Sequence, residues 1–358
     1  MSGFRAFLKR KNIEISLRRY GIDALGAMAQ GLFCSLLIGT ILNTLGSQTG
    51  VAIFSTVGGY ATAVSGPAMA VAIGYALKCP PLVLFSMVPV GWAANALGGS
   101  AGGPLAVFVI AIVAAEVGKM VSKETPVDVL VTPLVTIFAG VALAALIAPP
   151  IGAGANYVGA LIKRATVLQP FWMGIIVSAS VGIALTLPIS SAAICHSFNL
   201  VGLAGGAAVA GCCANMVGFA VMSFRENRWG GLVSQGLGTS MLQMGNIVKN
   251  PRIWLPAILT SMITGPIATC VFKLEMNGAA INSGMGTCGL CGPIGVWTGW
   301  VNPSDVALAD GAAVIAPGAM DWLGLALVCF VLPAVICWAL GLFFRRIGWI
   351  REGDLKLD

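Results

Sequence analysis

Apolar runs long enough to cross a bilayer follow one another along almost the whole chain. A crossing helix needs about 20 apolar residues, because the hydrocarbon core is about 30 Å thick. Stretches such as 105–115 are apolar all round, which favours helices over the alternating strands of an outer-membrane barrel. Only 9% of the 358 residues are charged and 58% are hydrophobic, too little polar cover for a water-soluble globule. The sequence therefore predicts an all-α polytopic membrane protein.

Spans and topology follow from the same runs and from the basic residues. The apolar runs lie at about 24–46, 51–77, 80–98, 103–121, 127–149, 170–190, 192–223, 229–248, 253–273, 278–300 and 320–344. The less apolar segment 150–168 is predicted to be interfacial or re-entrant. Both ends are basic, so both are expected in the cytoplasm, which requires an even number of crossings. We expect about ten, with some runs broken.

The N-terminal region is basic but does not read as a signal peptide, because no small-residue cleavage site follows its charged stretch. We attribute the net charge of +7 to basic segments that orient the chain in the membrane and that are attracted to anionic lipid. Nucleic acid is not an expected partner.

An internal repeat is visible in small residues at a constant spacing. Five positions recur 143 residues later and three more recur at an offset of 140. The pairs are Gly31/Gly174, Ser35/Ser178, Gly39/Gly182, Leu42/Leu185, Ser47/Ser190, Leu97/Leu237, Gly98/Gly238 and Ser100/Ser240. Two five-helix copies would lie in opposite orientations, as in many transporters. The predicted divisions are a basic segment 1–20, a first repeat 21–168, a second repeat 169–346 and a tail 347–358.

Polar side chains inside apolar runs indicate a solute path, because lipid-facing helices have no use for them. They are densest in the second half, on a glycine-punctuated stretch typical of a broken hairpin lining a cavity. Uncharged amides and hydroxyls suit a neutral polyhydroxylated or zwitterionic solute. The candidate binding residues are Ser190, Ser191, His196, Asn199, Asn215, Gln235, Thr239, Ser240, Gln243, Asn246 and Thr287, with Asn95 and Ser100 in the first half. The alternative is that they form hydrogen bonds between helices.

Three ionisable residues are candidates for ion or proton coupling. His196 is the only histidine in the chain, and its side chain titrates near neutrality. Glu116 lies inside an apolar run and Glu226 in a polar loop. The alternative for Glu116 is a structural pair with Lys119 or Lys123 on one helix face.

The segment 284–292 combines glycines with Thr287 and a Cys288-x-x-Cys291 spacing. Its glycines allow an uncoiled backbone whose N–H groups could cradle an anionic or hydroxylated group. The cysteine pair is more typical of packing than of a metal site, because no second pair or histidine accompanies it. We expect no catalytic residue, no metal and no cofactor.

Several segments carry a specific resemblance. They are Leu185-Thr-Leu-Pro-Ile-Ser-Ser-Ala-Ala193, Gly211-Cys-Cys213, Met216-Val-Gly-Phe-Ala-Val-Met222, Arg225-Glu-Asn227, Gln235-Gly-Leu-Gly-Thr-Ser-Met-Leu-Gln243, Asn246-Ile-Val-Lys-Asn-Pro-Arg-Ile-Trp254, Gly284-Met-Gly-Thr287 and Gly289-Leu290. With them the chain resembles, over nearly its whole length, the phosphotransferase-system enzyme IIC-like membrane proteins, and within these the PfoR-type branch.

The resemblance implies a homodimeric sugar permease of inverted five-helix repeats in the bacterial cytoplasmic membrane. It also implies separate IIA and IIB phosphocarrier partners. The chain lacks the Gly-Ile-Thr-Glu sugar signature of glucose-type members and carries no IIA or IIB domain of its own. Three functions stay open: alternating-access transport of a small hydrophilic metabolite, H⁺- or Na⁺-coupled transport of an organic anion, and metabolite sensing without transport.

Overall fold

The structure, a computed structural model, describes residues 2–357. In this range the regular structure is helical, apart from one isolated antiparallel bridge between Gly202 and Met276. The chain forms two compact units, Met1–Gly154 and Ala155–Asp358, and the division falls inside one long helix. The predicted repeat boundary at 168/169 lies 14 residues further along and stays a prediction.

The first unit holds the helices before that division. They are α1 (Ser2–Arg10), α2 (Leu25–Leu32), α3 (Ile38–Thr49), α4 (Ala52–Ala63), α5 (Ser65–Ala76), α6 (Pro81–Leu97), α7 (Gly99–Val121) and the greater part of α8 (Asp128–Ala165). Gly50 ends α3 in the left-handed conformation, at φ 71°, which glycine adopts without a steric penalty. A proline at its first position begins α6, where the missing N–H is not needed.

The second unit holds the end of α8 and ten further helices. They are α9 (Pro170–Thr186), α10 (Ser191–Ser197), α11 (Gly202–Met222), α12 (Phe224–Val233), α13 (Met244–Lys249), α14 (Leu255–Pro266), α15 (Cys291–Val301), α16 (Asp305–Ala309), α17 (Ala319–Ala326) and α18 (Leu332–Arg346).

Short π and 3-10 segments join or interrupt these helices. The π segments are Arg19–Ala24, Phe33–Leu37, Ser234–Gly238, Ile267–Val271 and Leu327–Val331; the 3-10 segments are Ser240–Gln243, Pro251–Trp254, Ala280–Gly284 and Cys288–Leu290. Such segments inside helices frequently mark functional positions. In the second unit most of them lie between 234 and 290, a region that includes the stretch 230–246 for which the sequence predicts a broken hairpin and the segment 284–292 for which it predicts an uncoiled backbone.

Six helical stretches of the described chain are long and apolar enough to cross a membrane. They are Arg19–Thr49, Gly99–Val121, Asp128–Ala165, Gly202–Met222, Pro251–Val271 and Ala319–Arg346. The pair α4 and α5, bent by 51°, makes a seventh if it is one broken span. The apolar helices α6 and α9 are 17 residues each. The chain is therefore a polytopic helical membrane protein.

The segment 150–168 differs from the expectation. The helix α8 continues through Pro149 and Pro150 to Ala165, so residues 150–165 extend the preceding span rather than forming a separate re-entrant piece, and their interfacial position stays a prediction. Two successive prolines are compatible with a helix when neighbouring groups satisfy the freed carbonyls. The prediction rested on the lower hydrophobicity of 150–168 and on its basic residues Lys163 and Arg164, neither of which prevents a helix from continuing.

Burial separates a lipid-facing helix from a central one. In the most apolar window of Asp128–Ala165 only 22% is buried, whereas in that of Gly202–Met222 the share is 89%. An apolar helix that is exposed along its length has lipid as its natural solvent. Around α11, helices α9 and α14 approach at glycines, and a Cβ on Gly211 would lie 1.8 Å from the carbonyl oxygen of Ser178. Small residues thus bring three backbones together, as is typical of membrane helices.

Candidate functional site

Three predicted binding residues form one buried group, the amide cluster, made of Gln235, Gln243 and Asn246. The Nε2 of Gln243 donates to Oε1 of Gln235 at 2.9 Å. The Nδ2 of Asn246 donates to Oε1 of Gln243 at 2.8 Å. Gln235 in turn donates to Oγ of Ser223 at 2.8 Å. The result is a chain of side-chain amides with no formal charge.

The C-terminal tail, residues 353–357, lies on the amide cluster. Gln243 donates to the carbonyl oxygen of Leu355 at 2.9 Å, and Asn246 donates to that of Lys356 at 2.8 Å. Asn227 also donates to the Leu355 carbonyl at 2.7 Å and accepts from the N–H of Leu357 at 2.8 Å. The tail backbone therefore occupies hydrogen-bonding groups of the amide cluster and of Asn227.

The backbone between 223 and 254 explains why these amides converge. Arg228 has φ 52° inside α12, so the helix kinks there. The π segment Ser234–Gly238 follows, and the 3-10 turn Ser240–Gln243 is capped by Thr239, whose hydroxyl accepts from Met241 N at 3.1 Å. A continuous α-helix would place residues 235 and 243 about 12 Å apart along its axis. The breaks bring their side chains within hydrogen-bonding distance.

A second buried group, the central network, surrounds Asn215 in α11. Asn215 Nδ2 donates to the Gly211 carbonyl at 3.0 Å and to Ser261 Oγ at 3.1 Å. Its Oδ1 accepts from Trp254 Nε1 at 3.0 Å and from Thr186 Oγ1 at 3.3 Å. The carboxamide is thus fully bonded within the protein.

Ser240 extends the central network toward the broken segment. Its hydroxyl shares a 2.8 Å hydrogen bond with that of Thr186. Ser240 follows the amide-bearing π segment directly, so the chain passes from the amide cluster to the central network within a few residues. Together the two groups make an uncharged hydrogen-bonding seam in the second unit, called the polar seam below.

The glycine-rich segment after 276 packs on the same unit. Ser191 donates to the Gly284 carbonyl at 2.7 Å, and Thr287 donates to the Gly236 carbonyl at 2.5 Å. Gly286 has φ 54° and lies against Cys212, so its close approach and its conformation both require glycine. Thr287 therefore contacts the π segment that carries Gln235.

Three further candidates of the second half lie outside the polar seam. Ser190 caps α10, accepting from Ala193 N at 3.2 Å. His196 and Asn199 are exposed. Asn199, with φ 50°, lines a separate cavity of about 340 Å³ that Lys163 and Asp310 also line. His196 and Asn199 are close in sequence to Ser191 but lie on the surface of the unit, and Ser190 is half-buried.

The first-half candidates lie in the other unit. Asn95 is half-buried in α6 against Gly66 and Gly103, and Ser100 is exposed at the start of α7. Glu116 forms an ion pair of 2.8 Å with Lys119 and accepts from Tyr20 at 3.1 Å.

Lys123 does not lie on the helix face that the sequence suggested for a pair with Glu116. The helix α7 ends at Val121, and Lys123 follows in a turn with φ 62°. The helical i, i+3 and i+4 spacing rule applies only as far as the helix continues.

Glu226 is also paired. Its Oε1 lies 2.7 Å from Nη2 of Arg345, and its side chain is only 6% exposed. The pair lines a cavity of about 670 Å³ beside the C-terminal tail, together with Arg225 and Arg351. A buried ion pair of this geometry is costly to break on one side.

Cysteine chemistry does not add to the site. Burial raises the pKa of the Cys288 and Cys195 thiols well above the ordinary value, so both are neutral rather than thiolate. Within residues 2–357 no group of three or more His, Cys, Asp or Glu side chains could hold a metal ion.

Sequence reasoning missed several partners in these groups: Thr186, Ser223, Trp254, Ser261 and the carbonyls of Leu355 and Lys356. Thr186 and Ser261 are polar residues inside apolar runs, and that signal could have found them. Trp254 reads as a membrane-interface aromatic. The tail carbonyls carry no side-chain signal at all.

Broken helices that carry buried, uncharged polar groups inside apolar spans define a class of protein, the polytopic transporters, whose solute sites are built this way. The comparison with protein families specifies the class. The family described as "Phosphotransferase system, EIIC" matches residues 22–357. The chain belongs to this family, whose members are the membrane permease components of that system. No curated protein and no solved structure matched.

Proposed function

We propose that the chain moves a small uncharged hydrophilic solute, a sugar, across the bacterial cytoplasmic membrane by alternating access, with the solute bound at the polar seam of the second unit. One observation carries this: the amide cluster presents buried carboxamides on broken helices, and main-chain carbonyls of the C-terminal tail accept from two of them.

The chemistry of the polar seam favours a neutral polyol. Its members are amides and hydroxyls, which pair with hydroxyl groups as donors and acceptors and hold no ion by charge. A sugar hydroxyl can accept from the same amide N–H groups that now donate to the tail carbonyls.

The packing of each unit supports two repeats. A Cβ on Gly31 would lie 2.7 Å from the carbonyl of Ala68, and one on its counterpart Gly174 would lie 2.8 Å from Pro266 N. Gly39 and its counterpart Gly182 likewise lie against a neighbouring helix. The same positions thus serve close helix approach in both halves.

Ten crossings follow if short and broken helices count. The first half would have Arg19–Thr49, the bent pair, α6, α7 and α8. The second would have α9, Gly202–Met222, Pro251–Val271 and Ala319–Arg346, and a broken fifth between 224 and 249. With five crossings each, the copies would lie in opposite orientations, and both basic termini in the cytoplasm. A homodimer served by separate IIA and IIB proteins belongs to the same proposal.

Two measurements test the proposal. Purified protein is screened for thermal stabilisation by sugars, organic acids, nucleosides and amino acids, and proteoliposomes are assayed for uptake of the stabilising compound. We expect a sugar to stabilise the protein. Gln243→Ala and Asn246→Ala should weaken that stabilisation, whereas Asn302→Ala, at an exposed helix end, should not.

The other outcomes identify the alternatives. Stabilisation by a sugar without uptake would indicate a sensor. Uptake of an organic anion that collapses with the proton or sodium gradient would indicate a coupled transporter, in which Glu116, His196 or Glu226 takes part. Ligand binding that is unchanged in both amide variants would overturn the assignment of the site.

A further inference from the structure

The first unit contains a basic cavity beside the Glu116–Lys119 ion pair. It has a volume of about 360 Å³. Three chain segments line it: the end of α1 with Arg10 and Lys11, the turn between α5 and α6 with Lys78, and the turn after α7 with Ser122 and Lys123. We call it the basic pocket.

The charge of the basic pocket is not balanced by the protein. Arg10, Lys11, Lys78, Lys119 and Lys123 line it, and Glu124 is the carboxylate in its lining. Two further carboxylates are close by and occupied. Glu116 pairs with Lys119, and Asp128 accepts from Lys123 N and Thr132 Oγ1, both at 2.6 Å. Even with these two included, the cations exceed the carboxylates by two.

Two of the lysines hold the unbalanced charge. Glu124 is engaged by Arg10 at 2.7 Å and by Lys11, and hydrogen bonding from Lys11 holds the pKa of this carboxyl below its ordinary value. The side chains of Lys78 and Lys123 have no hydrogen bond or ion pair to the described part of the chain. Both are exposed and left for an external anion.

A buried hydroxyl in the same cavity lacks a partner. Ser122 is 3% exposed, and its Oγ makes no hydrogen bond within residues 2–357. Three residues on, the hydroxyl of Thr125 is also buried without one. A buried polar atom without a partner is costly and rare, and calls for a missing ligand or water. Ser122, which carries the orphan hydroxyl, lines the same cavity as Lys78 and Lys123.

The position of the basic pocket corresponds to the headgroup level of a bilayer. Apolar helix α5 ends at Ala76, α6 begins at Pro81 and α7 ends at Val121. The short helix α1 carries Phe7 and Leu8 beside basic residues, a pattern typical of helices that lie in the membrane interface. Basic pockets between membrane helices suit phosphate headgroups.

We propose that the basic pocket binds a phosphate group through the Lys78 and Lys123 ammonium groups and the Ser122 hydroxyl. A tetrahedral phosphate offers several acceptor oxygens at once, which matches donors that come from two separate turns. The source of the phosphate is an anionic phospholipid headgroup or free phosphate, and the experiment separates them.

The experiment uses the full chain in detergent. Thermal stability and native mass spectra are recorded with mixed micelles of phosphatidylglycerol or of phosphatidylcholine, and with inorganic phosphate alone. Stabilisation by phosphatidylglycerol but not by phosphatidylcholine indicates a lipid site. Stabilisation by inorganic phosphate indicates a soluble ligand. Both effects should weaken with added salt, since the charges are near the surface.

Variants locate the site. The double variant Lys78→Asn/Lys123→Asn should bind the stabilising ligand with about tenfold lower affinity. Asparagine tolerates the left-handed backbone at both positions. Lys273→Asn is the matched control, because Lys273 is also exposed with a left-handed φ of 47° but lies in the other unit. Ser122→Ala should lower the affinity for the ligand without lowering the stability of the unliganded protein. Equal response to both lipids with no phosphate effect, or wild-type affinity in the double variant, would overturn the proposal.

Discussion

The side-chain amide of Gln243 donates a 2.9 Å hydrogen bond to the main-chain carbonyl of Leu355, 112 residues further along the chain. Leu355 is fully buried, so the tail is part of the folded second unit. In this way the end of the chain and the broken hairpin stabilise one another.

The first prediction concerns this contact. In Gln243→Glu a carboxylate oxygen would replace the Nε2 that donates to both Leu355 and Gln235. That oxygen would then face two other acceptors, the Leu355 carbonyl and Gln235 Oε1, and we expect a loss of about 2–3 kcal/mol in stability. Thermal unfolding in detergent measures it, together with faster proteolysis of the tail. Gln169→Glu, at an exposed helix N-cap, is the control. An equal effect at both positions would contradict the role of the contact.

The second prediction concerns Asn215. Asn215→Leu leaves Trp254 Nε1 and Ser261 Oγ without their buried partner, and we expect a loss of about 1–2 kcal/mol, since hydrogen bonds between membrane helices are modest. Chemical unfolding from mixed micelles gives the value. Asn302→Leu, where the side chain is exposed, should cost less than about 0.5 kcal/mol. A negligible loss of unfolding free energy in Asn215→Leu would show that the central network does not stabilise the fold.

The third prediction concerns the glycine contact at the centre of the second unit. In Gly211→Ala the new methyl group would lie 1.8 Å from the Ser178 carbonyl, so α9 and α11 must separate. We expect loss of folded, detergent-stable protein in size-exclusion chromatography. Gly59→Ala, whose Cβ would meet nothing within 4 Å, should fold and gain up to about 1 kcal/mol from helix propensity. A normal elution profile for Gly211→Ala would refute the close packing.

The fourth prediction concerns the pair Glu226 and Arg345. Arg345→Met leaves a carboxylate that is 6% exposed without its cation, at an expected cost of about 3–5 kcal/mol. Adding Glu226→Gln removes the buried charge and should restore much of that loss. A double-mutant cycle in thermal unfolding measures the coupling. Additive losses, with no recovery in the double variant, would mean that the two side chains do not act as a pair.

Much of the fold could be predicted because helices in lipid must satisfy their own backbone, and long apolar runs have few alternatives. The runs at 103–121 and 253–273 correspond closely to α7 and Pro251–Val271. The end of α8 could not be predicted, because the effect of Pro149 and Pro150 depends on what surrounds them.

The candidate site was predictable only as a set of residue types. Polarity in apolar surroundings identified Asn215, Gln235 and Gln243, because burying such groups requires partners. Which of them meet depends on backbone breaks and on left-handed residues such as Arg228. His196 has the same sequence signal as Ser191, yet it is exposed while Ser191 is buried.

The sequence alone therefore determined the environment of the chain and its helical class, since these follow from the number, length and order of apolar runs. It also gave the family resemblance, which rests on specific segments such as 185–193 and 235–243. Only the tertiary structure decided that the tail lies on the amide cluster and that an uncompensated basic pocket exists in the first unit. Both depend on main-chain carbonyls and on turns distant in the chain, and side-chain identity does not encode such contacts.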